Sequence, residues 1–454
     1  MSDITQNLVD IVGAGHVLID PATRASYEVD WTGRWRGTSR LVVRPGSTDE
    51  VSAVVAACAA DGVPIVPQGG NTGLVGGGVP VGPSDAVVLS LRRLSGLAPV
   101  DPAGTVIAGA GATLASVQQH ARAAGWDFGL DFASRDSATI GGAASTNAGG
   151  LRVVRYGTAR AQITGVEAVL PSGAVVSRVD GPVKDSSGYD LGALLVGSEG
   201  TLAVLTRLRL RLVPVLPARA VTLLAIDGVA TAQAILAAVR SELDSVVAAE
   251  LFFHDGLELV LAATGATAPF DAPSPAYLLI ECAGRTDPLD DLAAVLAEAP
   301  AVDDAAVASD ATGRARLWHY REAHTESVNA AGVPIKLDVA VPGSALPEAE
   351  RDLRAVVAKL VPTARLIVFG HLAEANLHVN ILDAPPEQAE AVTEAVLRTV
   401  AGYGGSISAE HGIGRAKAHW LGLTRSAPDI AAMRAIKSAL DPDGLLNPGA
   451  LFPS

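Results

Sequence analysis

Short apolar runs alternate with helical stripes through the first half of the chain. Leu41-Val42-Val43 and Val63 to Val66 predict two strands, with a helix from Val51 to Ala60 between them and a capped turn at Pro45-Gly46-Ser47-Thr48-Asp49-Glu50. Strands follow at Val87 to Leu91 and Thr105 to Gly109, and a helix at Thr113 to Ala124. Gly165 to Leu170 and Ala174 to Val176 flank Pro171-Ser172-Gly173 and read as an antiparallel pair. Leu208 to Leu212 alternates with Arg207, Arg209 and Arg211, the period of a half-buried strand. Upstream, Ser2 to Val17 reads as a short helix and Asp20 to Arg40 as irregular.

Pro214 and Pro217 punctuate the chain, and beyond Ala218 its texture changes. Strand and helix signals alternate there with little glycine: Val221 to Ile226, a helix near Val229 to Val239, then Ala248 to His254, Leu257 to Ala262 and Tyr277 to Glu281. A helix around Ala311 to Asn329, a strand at Ile335 to Val341, a helix over Glu348 to Val361 and strands at Ala364 to Phe369 and Leu377 to Ile381 continue the pattern. From about Tyr403 glycine turns and short helices return. The expected organisation is a first domain over residues 1–216, an inserted α+β domain over 217–400, and a segment, 401–454, that goes back to the first.

The βαβ reading delivers one unusual stretch at the carboxyl end of its second strand, where open α/β arrangements bind ligands. Pro67-Gln68-Gly69-Gly70-Asn71-Thr72-Gly73-Leu74-Val75-Gly76-Gly77-Gly78 carries six glycines in the ten residues from Gly69 to Gly78. Such a backbone can take positive φ and bring its N–H groups close to a bulky, charged ligand. No GxGxxG opens a helix and no GxxxxGK[ST] is present, so neither common nucleotide motif applies, and a glycine-rich surface turn is the plain alternative. A second loop of small residues runs from Asp131 to Gly150. Two such loops suggest one extended ligand gripped from two sides, with a diphosphate joining two organic halves as the natural candidate.

Composition narrows the class. At 454 residues the chain exceeds the size of one growing core, and 49% hydrophobic against 18% charged residues describes a close-packed globular protein. A formal charge of −14 argues against a nucleic-acid partner, although local arginines still decide the field inside a pocket. Cys58 and Cys282 lie in apolar contexts, which excludes a disulfide scaffold. The opening MSDITQNLVDIV lacks a basic region and an apolar core, so a cytoplasmic location is expected, with peripheral membrane contact left open.

Chemistry-bearing residues gather late. His371 and His378 flank Leu372-Ala373-Glu374-Ala375-Asn376-Leu377, and His378 shares a strand face with Asn380 by the period of two. With Glu410 the two histidines make a common ligand set for a divalent metal, and the adjacent His411 is then available as a base; a structural role is the alternative. His16, His120, His254 and His419 read as structural. Arg321 and Thr325, four apart, would share a helix face, and Lys336 sits on an apolar strand where a lysine needs a reason. An anionic substrate supplies that reason; surface charges of a helical hairpin are the other reading.

Together these motifs resemble the flavoproteins of the vanillyl-alcohol oxidase type, with a PCMH-type FAD-binding domain. Within them they resemble the branch of D-2-hydroxyglutarate dehydrogenase, D-lactate dehydrogenase and the glycolate oxidase large subunit. The resemblance runs from Leu41 to Pro448. It rests on the first glycine loop, Ile140-Gly141-Gly142, Thr146-Asn147-Ala148-Gly149-Gly150, Tyr156-Gly157, Gly197-Ser198-Glu199-Gly200-Thr201, the histidine clusters and Asn447-Pro448-Gly449. It implies an α+β fold: an FAD-binding domain of two α/β subdomains, an inserted α+β cap domain, and a C-terminal segment returning to the FAD domain. It implies FAD held by Pro67, Gly69, Gly70, Asn71, Thr72, Gly73 and Leu74 of the first loop. Ser134, Thr139, Gly142, Ser145, Asn147, Gly149 and Gly150 contribute from the second, with Tyr156, Gly157, Glu199, Gly200 and Asn447. Members with covalent FAD often carry a histidine in the first loop; Asn71 and Thr72 stand in that region here, which implies non-covalent FAD.

By the same resemblance Arg321, Thr325 and Lys336 match the substrate-carboxylate residues and Asn380 a substrate contact. His371, His378 and Glu410 match the zinc ligands, and His411 the catalytic base. One stretch departs from the pattern, since Ala373-Glu374-Ala375 stands where members commonly show Gly-Asp-Gly. The implied reaction is oxidation of a D-2-hydroxy acid, D-2-hydroxyglutarate first and D-malate or D-lactate next, to the 2-oxo acid by hydride transfer to flavin N5. A separate acceptor, a quinone, an electron-transfer flavoprotein or a cytochrome, then takes the electrons, and a homodimer is an assembly the resemblance allows. An oxygen-using 2-hydroxy acid oxidase and a non-catalytic flavin-binding subunit are the competing expectations.

Overall fold

The computed structural model describes residues 3–299 and 302–453. The chain divides into two compact units: Met1–Gly149, Gly157–Val215 and Glu410–Ser454 form the first, and Gly150–Tyr156 with Leu216–Ala409 the second.

In the first unit, α1 (Asp3–Val12) precedes β1 (Val17–Leu18). The helix expected over residues 2–17 therefore stops early, because Gly13 turns the chain at φ 85° into a 3-10 turn; Ser2 lies outside the described residues. Next come β2 (Leu41–Val43), α2 (Thr48–Ala60), β3 (Ile65–Gln68) and β4 (Val87–Ser90). The Ser47 side chain accepts the Glu50 N–H at 3.1 Å, and the Glu50 carboxylate accepts the Gly46 N–H at 2.7 Å, so α2 starts where the sequence caps it. The sheet order is β1-β2-β4-β3, with β4 lying parallel between the two strands of the expected βαβ unit. Val51, Val54 and Val55 of α2 bury against Leu41, Ile65 and Val87.

A second sheet of the same unit uses β5 (Thr105–Gly109), β6 (Ile163–Val169), β7 (Val175–Ser177) and β8 (Val204–Arg211) in the order β7-β6-β8-β5, antiparallel throughout. Between β5 and β6 lie α3 (Leu114–Ala123), capped by Thr113, and α4 (Ile140–Thr146), capped by Thr139. The tail returns along β3: Ile65 donates to the Leu445 carbonyl and Asn447 donates to that of Ile65, both at 2.8 Å.

The second unit is built on a seven-stranded antiparallel sheet. Its strands are β9 (Ala218–Ile226), β10 (Val246–Phe253), β11 (Ala276–Gly284), β12 (Asp304–Ala308), β13 (Ile335–Ala340), β14 (Arg365–His371) and β15 (Asn376–Leu382), in the order β12-β9-β11-β10-β14-β15-β13. Leu257 of α5 (His254–Thr264), Leu317 and Tyr320 of α6 (Ala311–Glu322) and Val328 of α7 (His324–Ala331) cluster with Leu223, Leu279, Phe252 and Phe369. Those sheet residues share one face by the register. Among the described residues no helix is long and apolar enough to cross a membrane.

Candidate functional site

The glycines of the first loop serve close packing more than backbone twist. A Cβ at Gly69 would sit 2.3 Å from Thr139 Oγ1, and one at Gly70 would sit 2.0 Å from the Ser137 carbonyl oxygen. The second small-residue loop therefore lies directly against the first, and no other residue type fits between them. In the loop only Gly76 among the glycines takes a positive φ, 71°; the other left-handed position is Asn71 at φ 57°. Asn71 holds that conformation by donating from Nδ2 to the carbonyls of Ser26 and Val29, at 3.2 and 2.8 Å.

The backbone donors of this loop are unspent. Among the described residues, none of the N–H groups from Gly69 to Leu74 donates within the chain, while the carbonyls of Gly69 and Gly70 accept from Arg92 at 3.1 and 2.9 Å. A run of unsatisfied amides is costly unless an anion or water meets it, which is how a backbone cradle for phosphate is made. The second loop differs. Its N–H groups at Ile140, Gly141 and Gly142 go to Ala112, Ala110 and the Thr139 hydroxyl, and the Ser145 hydroxyl donates to the Gly141 carbonyl at 2.7 Å. Asn147, at φ 51°, accepts the Arg160 N–H, and Gly149 leaves room for the Glu410 carboxylate, which a Cβ would approach to 2.5 Å.

Three further residues clamp these pieces together. Asn447 donates from Nδ2 to the carbonyls of Gly77 and Glu199, each at 2.8 Å, joining the glycine loop, the Gly197–Thr201 turn and the tail. The Glu199 carboxylate accepts the N–H groups of Ile413 and Gly414 at 2.9 and 2.7 Å, just past His411. Burial pushes its carboxyl above the usual range, against those two N–H groups and the Lys417 charge. Arg415 donates to the carbonyls of Gly76 and Pro448 at 2.9 and 2.7 Å, and burial lowers its pKa. Gly200 abuts Pro67, with a Cβ position 3.3 Å from the Pro67 ring.

In the second unit the register gathers polar residues on one sheet face. Glu250 of β10 pairs across to His371 of β14, which pairs to Asn376 of β15. The next row runs Phe252, Phe369, His378 and Asp338, and the row after it Ile367, Asn380 and Lys336. The same face is apolar at Leu223 and Leu279 and turns polar from β10 onward. The His371 and His378 rings stand edge to face with centroids 5.2 Å apart. Asn380 donates to the Ile367 carbonyl at 3.4 Å.

Two buried carboxylates stand behind the histidines. Glu250, fully buried, accepts from His371 Nδ1 at 2.7 Å through one oxygen and pairs with Arg321 Nη2 at 2.7 Å through the other. The Arg321 guanidinium also lies 4.7 Å from the Phe369 ring centroid. Removing one partner of such a buried pair costs about 3–5 kcal/mol. Asp338, also fully buried, lies 3.6 Å from His378 Nδ1 and accepts from Asn376 at 2.8 Å. Neither carboxylate stands out in the sequence, where each is one acidic residue inside an apolar strand; only the cross-strand pairing reveals them.

Arg321 and Thr325 do not share the face of one helix as their spacing predicts. α6 ends at Glu322 and α7 begins at His324, so Arg321 closes one helix and Thr325 opens the next. His324 is wedged there between Phe252 and Phe369, ring centroids 5.1 and 4.9 Å away. Burial, with the Arg321 charge beside it, pushes its pKa down to about 3. It is a packing histidine, and no local pattern around it marks it as one.

The departure at Ala373-Glu374-Ala375 forms the turn between β14 and β15. Ala375 takes φ 50°, a conformation that suits glycine, and donates to the Leu372 carbonyl at 3.1 Å. Gly150 and Tyr156 fall in the short segment that belongs to the second unit, as do Arg321, Thr325, Lys336, His371, His378 and Asn380. The remaining expected cofactor residues, with Glu410 and His411, belong to the first unit. The chain leaves the sheet at Ser406, which exchanges two hydrogen bonds with Ala340 at the end of β13, and Glu410 and His411 follow.

Comparison with known proteins gives consistent matches. Residues 216–451 match the FAD linked oxidases, C-terminal domain, and residues 39–178 an FAD binding domain. The chain is 40% identical to D-2-hydroxyglutarate dehydrogenase of Xanthomonas citri pv. viticola, over 98% of this chain and 96% of that protein. It is 34% identical to the mitochondrial D-2-hydroxyglutarate dehydrogenase of Bos taurus, over 97% and 82%. Among solved structures, p-cresol methylhydroxylase with substrate bound superposes with a TM-score of 0.78 at 15% identity, over 99% of this chain and 96% of the other, a likeness of fold.

Proposed function

The chain belongs to the FAD-linked oxidases, and from that premise we propose that it oxidises a D-2-hydroxy acid, D-2-hydroxyglutarate before D-malate or D-lactate, to the 2-oxo acid. The observation that carries the reading is the polar sheet face, which brings His371, His378, Asn380 and Lys336 into adjacent rows with Arg321 held over them. The unspent N–H groups from Gly69 to Leu74 fit the diphosphate of a non-covalent FAD. The two histidine rings, each with a carboxylate at Nδ1, fit a zinc ion at their other nitrogens. Glu410 is the third ligand by the family resemblance. When bound, FAD supplies the two-electron acceptor for the substrate's α-hydrogen, and zinc a Lewis acid for its hydroxyl.

The chain's own residues then have distinct tasks. Arg321, Thr325 and Lys336 hold substrate carboxylate, and two cations in that set favour a dicarboxylate. Asn380 orients the substrate, and His411 takes the hydroxyl proton. A separate molecule, a quinone, an electron-transfer flavoprotein or a cytochrome, removes the electrons. The test is His411→Ala: FAD content stays, while anaerobic flavin bleaching by D-2-hydroxyglutarate slows by roughly 10²–10⁴-fold. Unchanged bleaching would refute the base assignment, and a panel of D- and L-2-hydroxy acids run on the wild type fixes the substrate.

A further inference from the structure

Glu250 sits in the middle of a strand in which every residue from Val246 to Phe253 is buried. A carboxylate costs several kcal/mol to place there unless it is paired: one oxygen is hydrogen-bonded to His371 Nδ1, and the other lies 2.7 Å from Arg321 Nη2 as an ion pair without a hydrogen bond. Paired with a guanidinium, the carboxylate is an acceptor only. The proton on the His371 ring therefore belongs at Nδ1, and the lone pair at Nε2, on the far side of the ring. The same carboxylate fixes the Arg321 guanidinium, already lying over Phe369, in one orientation.

We propose that Glu250 is a positioning residue that presets both the metal-ligating nitrogen of His371 and the carboxylate-binding guanidinium of Arg321. Cation and substrate are then received by one braced unit. This rests on the reading of His371 as a zinc ligand. Asp338 performs the matching task for His378 more loosely, since its oxygen stands 3.6 Å from Nδ1, beyond hydrogen-bond length, and is shared with Asn376. A pair serving only to hold the sheet would leave metal affinity unmoved.

The test uses Glu250→Gln in the FAD-loaded full chain. Glutamine keeps the volume but offers one acceptor and one donor, so His371 and Arg321 no longer both meet an acceptor. Zinc affinity, read by chelator competition at unchanged FAD content, falls about 10–100-fold, the usual cost of losing a carboxylate behind a ligating histidine. Asp338→Asn loses less. At saturating zinc, KM for D-2-hydroxyglutarate rises about tenfold, as expected when a binding guanidinium is released. Zinc affinity within about twofold of wild type, with KM unchanged, overturns the proposal. If Glu250→Gln does not fold, Glu250→Asp keeps the charge one methylene short and is read the same way. A wild-type chain with no zinc affinity overturns the metal reading itself, and the proposal with it.

Discussion

The glycine loop of the first unit and the polar sheet face of the second are both suited to an anion, but they use opposite parts of the chain. In the loop the donors are backbone N–H groups, consecutive in sequence from Gly69 to Leu74, and half of these residues are glycine. On the sheet face the donors are side chains drawn from β13, β14, β15 and α6, spread from Arg321 to Asn380 of the sequence. In this loop the backbone donors are adjacent, so a single stretch of chain carries them. A side-chain site needs only a shared face, which strand register supplies. The first kind therefore shows up as a local bias in composition, and the second as isolated polar residues in apolar strands.

The comparison can be broken most sharply at Gly70. A Cβ there would lie 2.0 Å from the Ser137 carbonyl, so Gly70→Ala forces the two loops apart and purifies with little or no FAD by its absorption spectrum. Retention of full FAD would show that the loops are not interlocked.

A smaller effect concerns the histidine that is not a site. His324 has a pKa of about 3 against about 6.5 unfolded, so below pH 6.5 the unfolded chain takes up a proton that the folded chain refuses. Its contribution is complete above pH 6.5 and is lost as pH falls toward 3, on the order of 5 kcal/mol in all. His324→Leu should lower the acid slope of unfolding free energy by about one proton, 1.4 kcal/mol per pH unit, in denaturant titrations from pH 6.5 to 4. An unchanged slope would place the charge elsewhere.

The smallest concerns the turn between the histidine strands. Ala375→Gly relieves a left-handed alanine and should raise unfolding free energy by about 1 kcal/mol, with zinc affinity unchanged. A loss of zinc affinity would instead show that the alanine shapes the ligand geometry.

Much of the fold was legible. Leu41–Val43 and Thr105–Gly109 are strands where the apolar runs place them, and Ser47 and Thr113 cap the helices that follow. Less legible was the insertion of β4 between β2 and β3, because pairing order is not encoded in either strand's own pattern. The Arg321–Thr325 spacing predicted one helix face, but the helix is interrupted at Ala323, and His324 seats between two aromatic rings from adjacent strands.

The sequence by itself determined the glycine loop and many of the strand and helix periods, since these depend on neighbours along the chain. Only the tertiary structure decided why Gly69 and Gly70 must be glycine, that Asn447 and Glu199 tie the tail to the loop, and that Glu250 and Asp338 stand behind His371 and His378. The physical reason is the same in each case. These contacts join residues far apart in sequence, and their energy comes from burial and from partners that no local pattern can specify.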